Sequence, residues 1–485
     1  MKSPKKATAF SAGIGYTVGN ILIKGINILT LPLFSRIMST EEFGVYNVFL
    51  SYDAILFVIV GLALHSSIRS ANIEFKGRID EYTSSITLIY LINTLILLGI
   101  VLIFGESLGA LLGFEKTVLY MLILYSTGTA VLTLYNNRIS LDYAYKNYLI
   151  VALINSVGNV AVSLVLILTV FRSQRDLGRI LGSALTIIVL MIVLLIAMYR
   201  KAKPRFSWQY WRFGLKYSLP IVPHGISQVL LAQFDRIMIR NLVSDAAAGI
   251  YSLAGNIKLI LTVITGSISA AWSTWFYVEM DNSNHVGIRK RAVQLCGLFA
   301  ILTVGLMALS PELIYLLGGK EYELGKYVAI PMILDAFVLF LYDVIVSGEY
   351  YTKKTVYIML GTMIAAALNV VLNYIFILRY GFIAAAYTTL AAYVCYLLLH
   401  LILSRRLIGF FILPVKWLLI YSGIVSVMAA ANLLLLDSLV LRWLLCAAVV
   451  IPMALLLLRD LGGIGGLLGR KGPKNTENDG EGDLS

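Results

Sequence analysis

The sequence predicts an all-α integral membrane protein of about fourteen transmembrane helices: two pseudo-symmetric bundles of six, then two more at the C-terminal end. Three observations lead there. Hydrophobic residues fill 59% of the 485 positions and charged residues 13%, for a mean hydropathy of +0.85, whereas soluble chains carry roughly 25% charged residues. Apolar stretches follow one another from residue 12 to residue 458, each near the roughly 20 residues that span a hydrocarbon core. Finally, the two halves of the chain echo each other.

The expected spans of the first half are 12–34, 44–66, 83–105, 117–136, 147–170 and 180–199. Residues 10–34 are too long for a signal h-region and lack a small-residue cleavage site, so no signal peptide is expected. The connection 200–216, RKAKPRFSWQYWRFGLK, is the longest and most basic; with Pro204 and its aromatics it suits an interfacial linker. Spans 214–234, 247–272, 292–310, 327–347, 355–377 and 382–403 form the second half, and 415–436 and 441–458 are an appendix. The domain division is therefore 1–203, 204–408, 409–460 and a polar tail at 461–485, whose acidic end is expected to be disordered. Cys296, Cys395 and Cys446 fall inside apolar runs, so no disulfide framework is expected.

Charge fixes the orientation. Connections on the side of both termini hold 26 Lys and Arg, those on the opposite side hold 11, and Lys24 and Lys258 lie within spans. The positive-inside rule puts both termini in the cytoplasm. It also accounts for most of the +13 net charge, so no nucleic-acid partner is implied.

A shift of 205 residues lays Ser39, Gly44, Val45 and Tyr46 on Ser244, Gly249, Ile250 and Tyr251, at matching places in each half. An N-x-x-x-N pair recurs as Asn155/Asn159 and Asn369/Asn373. With six spans per copy the copies run in the same sense. Such parallel repeats occur in secondary transporters, with the substrate site between them.

Function is sought in the polar residues that interrupt the spans, because a charge at mid-bilayer costs about 2.5–3.5 kcal/mol on insertion scales and faces a cavity or a partner. At about 100° per residue, Asn20, Lys24 and Asn27 share one face of span one. Lys258 shares a stripe of span eight with Tyr251, Thr262, Thr265, Ser269 and Trp272. Both lysines lie too deep to snorkel comfortably and are read as cavity lining. Span seven aligns Tyr217, His224, Gln228 and Asp235, with Pro220 and Pro223 loosening the backbone as a gate helix would need. Asp53 of span two and Asp335 of span ten are open to two readings, ion coupling or pairing with a lysine of a neighbouring helix. Asp235-Arg236 is read as an interfacial ion pair, the asparagine pairs as interhelical glue and His224 as a packing residue. His65 and His400 stand near span ends and say little. No phosphate-binding loop, zinc-protease motif or Cys/His cluster is present, and the longest loop, about fifteen residues, leaves no room for a catalytic domain. No enzyme is expected.

Three segments carry a resemblance. LPLFSRIMSTEEFGVYNVFLSY (31–52) resembles the first outer loop of bacterial polysaccharide flippases, with Arg36, Phe43, Gly44 and Tyr46 in place. QFDRIMIRNLVSDAAAGIYSLAGNIK (233–258) and ALNVVLNYIFILRYGFIAAAYTTLAAYV (367–394) are similar to the same family's span seven–eight and eleven–twelve segments. The chain is thereby identified as a member of the multidrug/oligosaccharidyl-lipid/polysaccharide (MOP) exporter superfamily. The resemblance implies a MATE-like V of two bundles around a central cavity in the bacterial cytoplasmic membrane. It also implies movement of an undecaprenyl-pyrophosphate-linked oligosaccharide from the inner to the outer leaflet. The alternatives are a lipid II flippase and a cation-coupled drug antiporter. Relatives line the cavity with basic residues on spans one, two and eight; Lys24 and Lys258 match, while Asp53 stands where some relatives have arginine. On this reading Lys24 and Lys258 hold the pyrophosphate, and Asn20, Asn27, Gln228 and Thr262 meet sugar hydroxyls. Asp53, Asp235 or Asp335 takes a coupling H+ or Na+, with no other cofactor. Membrane lipids and a polysaccharide polymerase are the candidate partners.

Overall fold

The computed structural model describes residues 28–460, together with Gly15, Gly19, Gly25 and Ile26. All regular elements among the described residues are helical. In an apolar chain that is the economical solution, since a helix satisfies its own backbone N–H and C=O groups without water. In chain order they are α1 (Ile28–Ile37), α2 (Thr40–Gly61), α3 (Ile68–Glu74), α4 (Ile79–Leu112), α5 (Lys116–Ser140), α6 (Tyr145–Thr169), α7 (Arg175–Lys201), α8 (Trp208–Ser218), α9 (Val222–Leu242), α10 (Asp245–Asp281), α11 (His285–Gly318), α12 (Gly325–Tyr351), α13 (Thr355–Tyr380), α14 (Ile383–Ile408), α15 (Val415–Leu434) and α16 (Leu439–Asp460).

Twelve of these, α2, α4–α7 and α10–α16, are long and apolar enough to cross a membrane, and each coincides with an expected span. The protein is a multi-pass membrane protein. Two expected spans fall outside that set. The first is described only in part, through α1. The seventh becomes α9, whose 21 residues include His224, Gln228, Gln233, Asp235, Arg236 and Arg240, more polar than an unaccompanied spanning helix tolerates.

The helices also run longer than their apolar centres. α4, α10 and α11 have 34, 37 and 34 residues; at 1.5 Å per residue α10 is about 55 Å long, well beyond a roughly 30 Å hydrocarbon core. Hydropathy sees only the middle of such a helix. For the same reason Arg179, counted in a connection, lies buried inside α7.

The linker is partly helical, and residues 214–218 belong to α8 rather than to span seven. α8 lies on the first half: Trp211 Nε1 donates to the Ser85 carbonyl (3.1 Å) and the Tyr210 hydroxyl to Glu81 (3.0 Å), while Phe75 meets Tyr82, Tyr210 and Phe213 edge-on or stacked. Pro220 then opens a short 3₁₀ turn, Leu219–Ile221, and Pro223 stands in the first turn of α9. Neither proline interrupts a helix interior; both occupy positions where the missing N–H has no intrahelical partner to lose.

In the first half α5 packs on α2, α4 and α7, and α6 on α7; in the second, α12 packs on α10, α11 and α14, and α13 on α9 and α14. α2 contacts α9 and α10 across the divide. α16 lies against α11, held by the buried Arg442, whose guanidinium donates to the carbonyls of Ala308 (2.8 Å) and Leu436 (2.6 Å) and pairs with Glu312. Lys326 adds a link to Asp437 (2.8 Å). Arg442→Ala removes the main buried anchor of α16 and leaves the Ala308 and Leu436 carbonyls bare, and a loss of about 1–3 kcal/mol follows from orphaning buried acceptors. Faster proteolysis of the α15–α16 connection, with α2–α14 intact, is the expected readout.

Candidate functional site

The two halves meet at the start of α2 and α10. Both begin with a serine N-cap: Ser39 accepts from Glu42 N (3.2 Å) within a capping box, and Ser244 accepts from Ala247 N (3.1 Å). One turn later the helices cross with backbone against backbone. A Cβ on Gly44 would lie 1.9 Å from the Asp245 carbonyl oxygen, and one on Gly249 would lie 2.1 Å from that of Thr40. Thr40 and Asp245, like Gly44 and Gly249, are 205 residues apart, so the repeated motif touches its own copy reciprocally. Around this crossing Arg36 reaches the Leu316 carbonyl (3.1 Å), Ser35 donates to the Leu317 carbonyl, and Phe43 meets Tyr322 edge-on at 5.9 Å. From the other side Arg240 pairs with Asp245 (2.8 Å) and donates to the Gly113 carbonyl (2.5 Å). At this end of the molecule the two halves are held together by contacts from both sides of the crossing.

The tyrosines that follow the two glycines sit in related frames of opposite charge. The Tyr46 hydroxyl is 3.1 Å from Ser183 Oγ, and the Arg179 guanidinium lies 4.7 Å from the Tyr46 ring centre, held by Asn159 (2.6 Å) and Ser163 (2.7 Å). Tyr251 instead donates to Asp235 (2.6 Å), which also accepts from Asn373 (2.6 Å) and Thr389 (2.8 Å). Asn369 donates to Thr389 and Asn373 to Asn369, at 2.9 and 3.3 Å, so this asparagine pair joins α9, α13 and α14. Asp235 is 3% exposed and forms no ion pair among the described residues, unlike the interfacial pair expected from sequence. Arg236 turns to Gln233 instead. A buried carboxylate satisfied by neutral donors depends on all of them. Asp235→Ala leaves Tyr251 and Thr389 without their acceptor and takes one of two from Asn373, and a loss of about 2–6 kcal/mol is expected at roughly 1–3 kcal/mol per orphaned group, read as a lower melting temperature in detergent.

The polar stripe of α10 is matched by one on α12. Lys258 Nζ pairs with Asp335 at 2.7 Å, Ser269 donates to Asp343 (3.3 Å), and Trp272 Nε1 donates to Ser347 (3.0 Å). Lys258 also lies 5.7 Å from the Tyr393 ring centre. Its side chain is 24% exposed while that of Asp335 is 1% exposed, so the ammonium keeps an open side and the carboxylate does not. Of the two readings open for Asp335, the structure shows the lysine partner. Thr262, one turn on, is exposed and bonds back to the Lys258 carbonyl (3.2 Å). Gln228 is exposed on α9, one turn beyond the half-buried His224. Asp53 is half-buried and accepts from Thr129 at 3.4 Å, with no cation partner among the described residues. Asn20, Lys24 and Asn27 lie outside the described residues.

Sequence reasoning missed Glu349 and undervalued His400. Both are fully buried and joined at 2.7 Å. Glu349 lies two residues beyond the expected end of span ten, where a carboxylate is unremarkable on a hydropathy profile. Only its counterpart on α14 gives it meaning.

The sequence matches the polysaccharide biosynthesis protein family over residues 12–276. The chain belongs to that family. Membership of this family, with flippases and transporters among the relatives and solved structures it resembles, agrees with the expectation drawn from its three motifs. Two relatives are Lsg locus putative protein 1 of Haemophilus influenzae, 24% identical over 75% of this chain and 91% of that protein, and the probable low-salt glycan biosynthesis flippase Agl15 of Haloferax volcanii, 20% identical over 79% and 80%. Among solved structures, the lipid II flippase MurJ in an inward closed conformation has the same fold, with a TM-score of 0.68 and 18% identity over 92% of this chain and 99% of MurJ. An inward-facing MATE multidrug transporter follows at a TM-score of 0.60 and 14% identity, over 81% and 98%.

Proposed function

We propose that this polysaccharide biosynthesis protein moves an undecaprenyl-pyrophosphate-linked oligosaccharide from the inner to the outer leaflet of a bacterial cytoplasmic membrane, by alternating access of two bundles arranged as a V. Fourteen spans with both termini cytoplasmic satisfy the charge asymmetry, with α9 and the helix ending in α1 as the two that composition alone does not qualify. Residues 1–203 and 204–408 are the moving units, 409–460 the appended pair and 461–485 the tail.

The observation that carries the reading is the reciprocal crossing at Gly44 and Gly249. In this topology it lies at the outer end. A seal built from the same turn of two related helices is a contact between the halves that can part and re-form as they rock, which is what an alternating-access device requires at one face.

Beneath it, Lys258 offers its open side to the pyrophosphate, with Lys24 as its proposed counterpart from the first half and Thr262, Gln228, Asn20 and Asn27 as the candidates to meet sugar hydroxyls. Charge-assisted bonds to phosphate are strong. Because Lys258 is shared with Asp335, an incoming diphosphate competes for the ammonium and frees the carboxylate to take H+ or Na+, with Asp53 and Asp235 as further coupling sites. The polyprenyl tail remains in lipid. Pro220 and Pro223, at the start of α9, set the bend about which that helix moves.

The test is a proteoliposome assay with a diphosphate-linked oligosaccharide and a lectin reporting its exposure. Wild-type protein should flip the lipid, and the Lys24→Ala/Lys258→Ala double variant should lose at least tenfold in rate at matched protein levels. Equal rates would remove the pyrophosphate role from both lysines, while flipping of lipid II and not of the oligosaccharide lipid would reassign the substrate.

A further inference from the structure

The most anomalous polar group outside the divide is the Glu349–His400 pair. Glu349 is in the last turns of α12 and His400 on α14, each 0% exposed, with Nδ1 to Oε1 at 2.7 Å. The other nitrogen, Nε2, and the other oxygen, Oε2, have no partner among the described residues. Buried polar atoms are normally satisfied, so two orphans on one pair call for an explanation. The pocket is shaped around the imidazole. The Tyr342 and Tyr396 rings stand edge-on to it, with centroids 5.1 and 4.6 Å away. On α13, Gly361 leaves room for the ring: a Cβ there would come 2.3 Å from Nε2. The neighbouring tyrosines form a hydroxyl chain, Tyr396 donating to Tyr342 (2.7 Å) and lying 2.9 Å from Thr362 Oγ1.

We infer that the Glu349–His400 pair is a proton-binding site of the second half. Three loadings are available. With no labile proton, neutral imidazole faces a carboxylate and the site carries one buried negative charge. With one proton, held as imidazolium and carboxylate or as imidazole and carboxylic acid, the site is neutral. With two it is positive. Burial penalises an unbalanced charge far more than a shared proton, so on this inference the packed site holds one proton. Giving it up requires water or a cation to reach the orphaned Oε2, hence a loosening of the α12–α14 contact. Proton release is in this way tied to a conformational step.

The surrounding charges do not supply that cation in the closed form. On α12 the titratable neighbours are Tyr342, Asp343 and Tyr350. On α14 they are Tyr396 and Arg405, the latter 4.5 Å from the Phe411 ring centre. α10 contributes Tyr277 against the Tyr351 ring, with centroids 5.8 Å apart, and Asp281, which accepts from the Tyr351 hydroxyl (2.8 Å). On α13 the contact is Gly361, followed by the Thr362 hydroxyl. Lys353 and Lys354 follow α12 in an exposed turn.

The use of this proton in transport rests on the flippase reading; its binding does not. The test therefore needs no substrate. Purified protein in liposomes is titrated while its infrared spectrum and the distance between spin labels at Lys76 and Asn282 are followed. Wild-type protein should show a carboxyl band that is absent in Glu349→Gln and altered in His400→Gln, and a label distance that shifts as that band titrates. Glu349→Gln, whose amide can still bond the imidazole, should keep the fold and lose the pH-dependent shift. Gly361→Ala, which displaces the ring, should move the titration by at least one pH unit. A wild-type spectrum without a Glu349 band change, or identical distance titrations in wild-type and Glu349→Gln proteins, overturns the inference. Substrate flipping measured separately remains free to succeed or fail.

Discussion

Gly44→Ala and Gly249→Ala are each expected to wedge open the crossing of α2 and α10 and to reduce export more than tenfold without unfolding the protein. A methyl group at Gly44 lands 1.9 Å from a backbone oxygen and one at Gly249 lands 2.1 Å from another. Neither oxygen belongs to a flexible side chain, so the helices must separate by about 1 Å. Overpacking of this kind costs about 1–3 kcal/mol. A two-state equilibrium responds to that amount by a factor of roughly 5–150, which is ample to depopulate the closed form in the proposed alternating-access cycle. The double variant should cost less than the two single costs together, because both methyl groups open one crossing. Spin labels at the exposed Glu41 and Lys320 would report the change as a longer, broader distance distribution. An unchanged distribution with full export would mean that the crossing is packing and not a gate.

Lys258→Ala is the second large effect, and it separates two roles that the wild-type protein merges. Removing the ammonium leaves Asp335, 1% exposed, as an unpaired buried carboxylate, and breaking a buried pair from one side costs about 3–5 kcal/mol. Both stability and export should fall. In Lys258→Ala/Asp335→Asn the buried charge is gone, so the melting temperature should recover most of its loss. Export should not recover if, as proposed, Lys258 is the cation offered to the diphosphate, since that cation is still missing. Recovery of both would make the lysine a purely structural partner of α12.

The fold was legible because lipid imposes a coarse code: long apolar runs, basic connections on one side and a motif repeated at a fixed offset. What hydropathy could not supply were helix ends, as with Arg179 inside α7 and Glu349 inside α12, where polar turns continue a helix past its apolar centre. Side-chain partners were legible only in kind. The periodicity of α10 correctly grouped Lys258, Ser269 and Trp272, but it is silent about what the stripe faces, and α12 answers with Asp335, Asp343 and Ser347. Asp235-Arg236 was read as an interfacial ion pair with a neighbour. In three dimensions consecutive helical residues diverge by about 100°, and the carboxylate turns inward to a tyrosine, an asparagine and a threonine while Arg236 turns elsewhere. His400 was passed over because its meaning depends on a residue 51 positions away.

α12 has a mechanical consequence. In its apolar window 83% of the residues are buried, against 33–61% for α10, α11, α13 and α14 around it, and its polar side chains are tied into α10 and α14. A rod gripped on every side cannot swing by itself. Any stroke of the second half has to carry this rod as an axle, and the compliance must come from the less deeply buried helices around it.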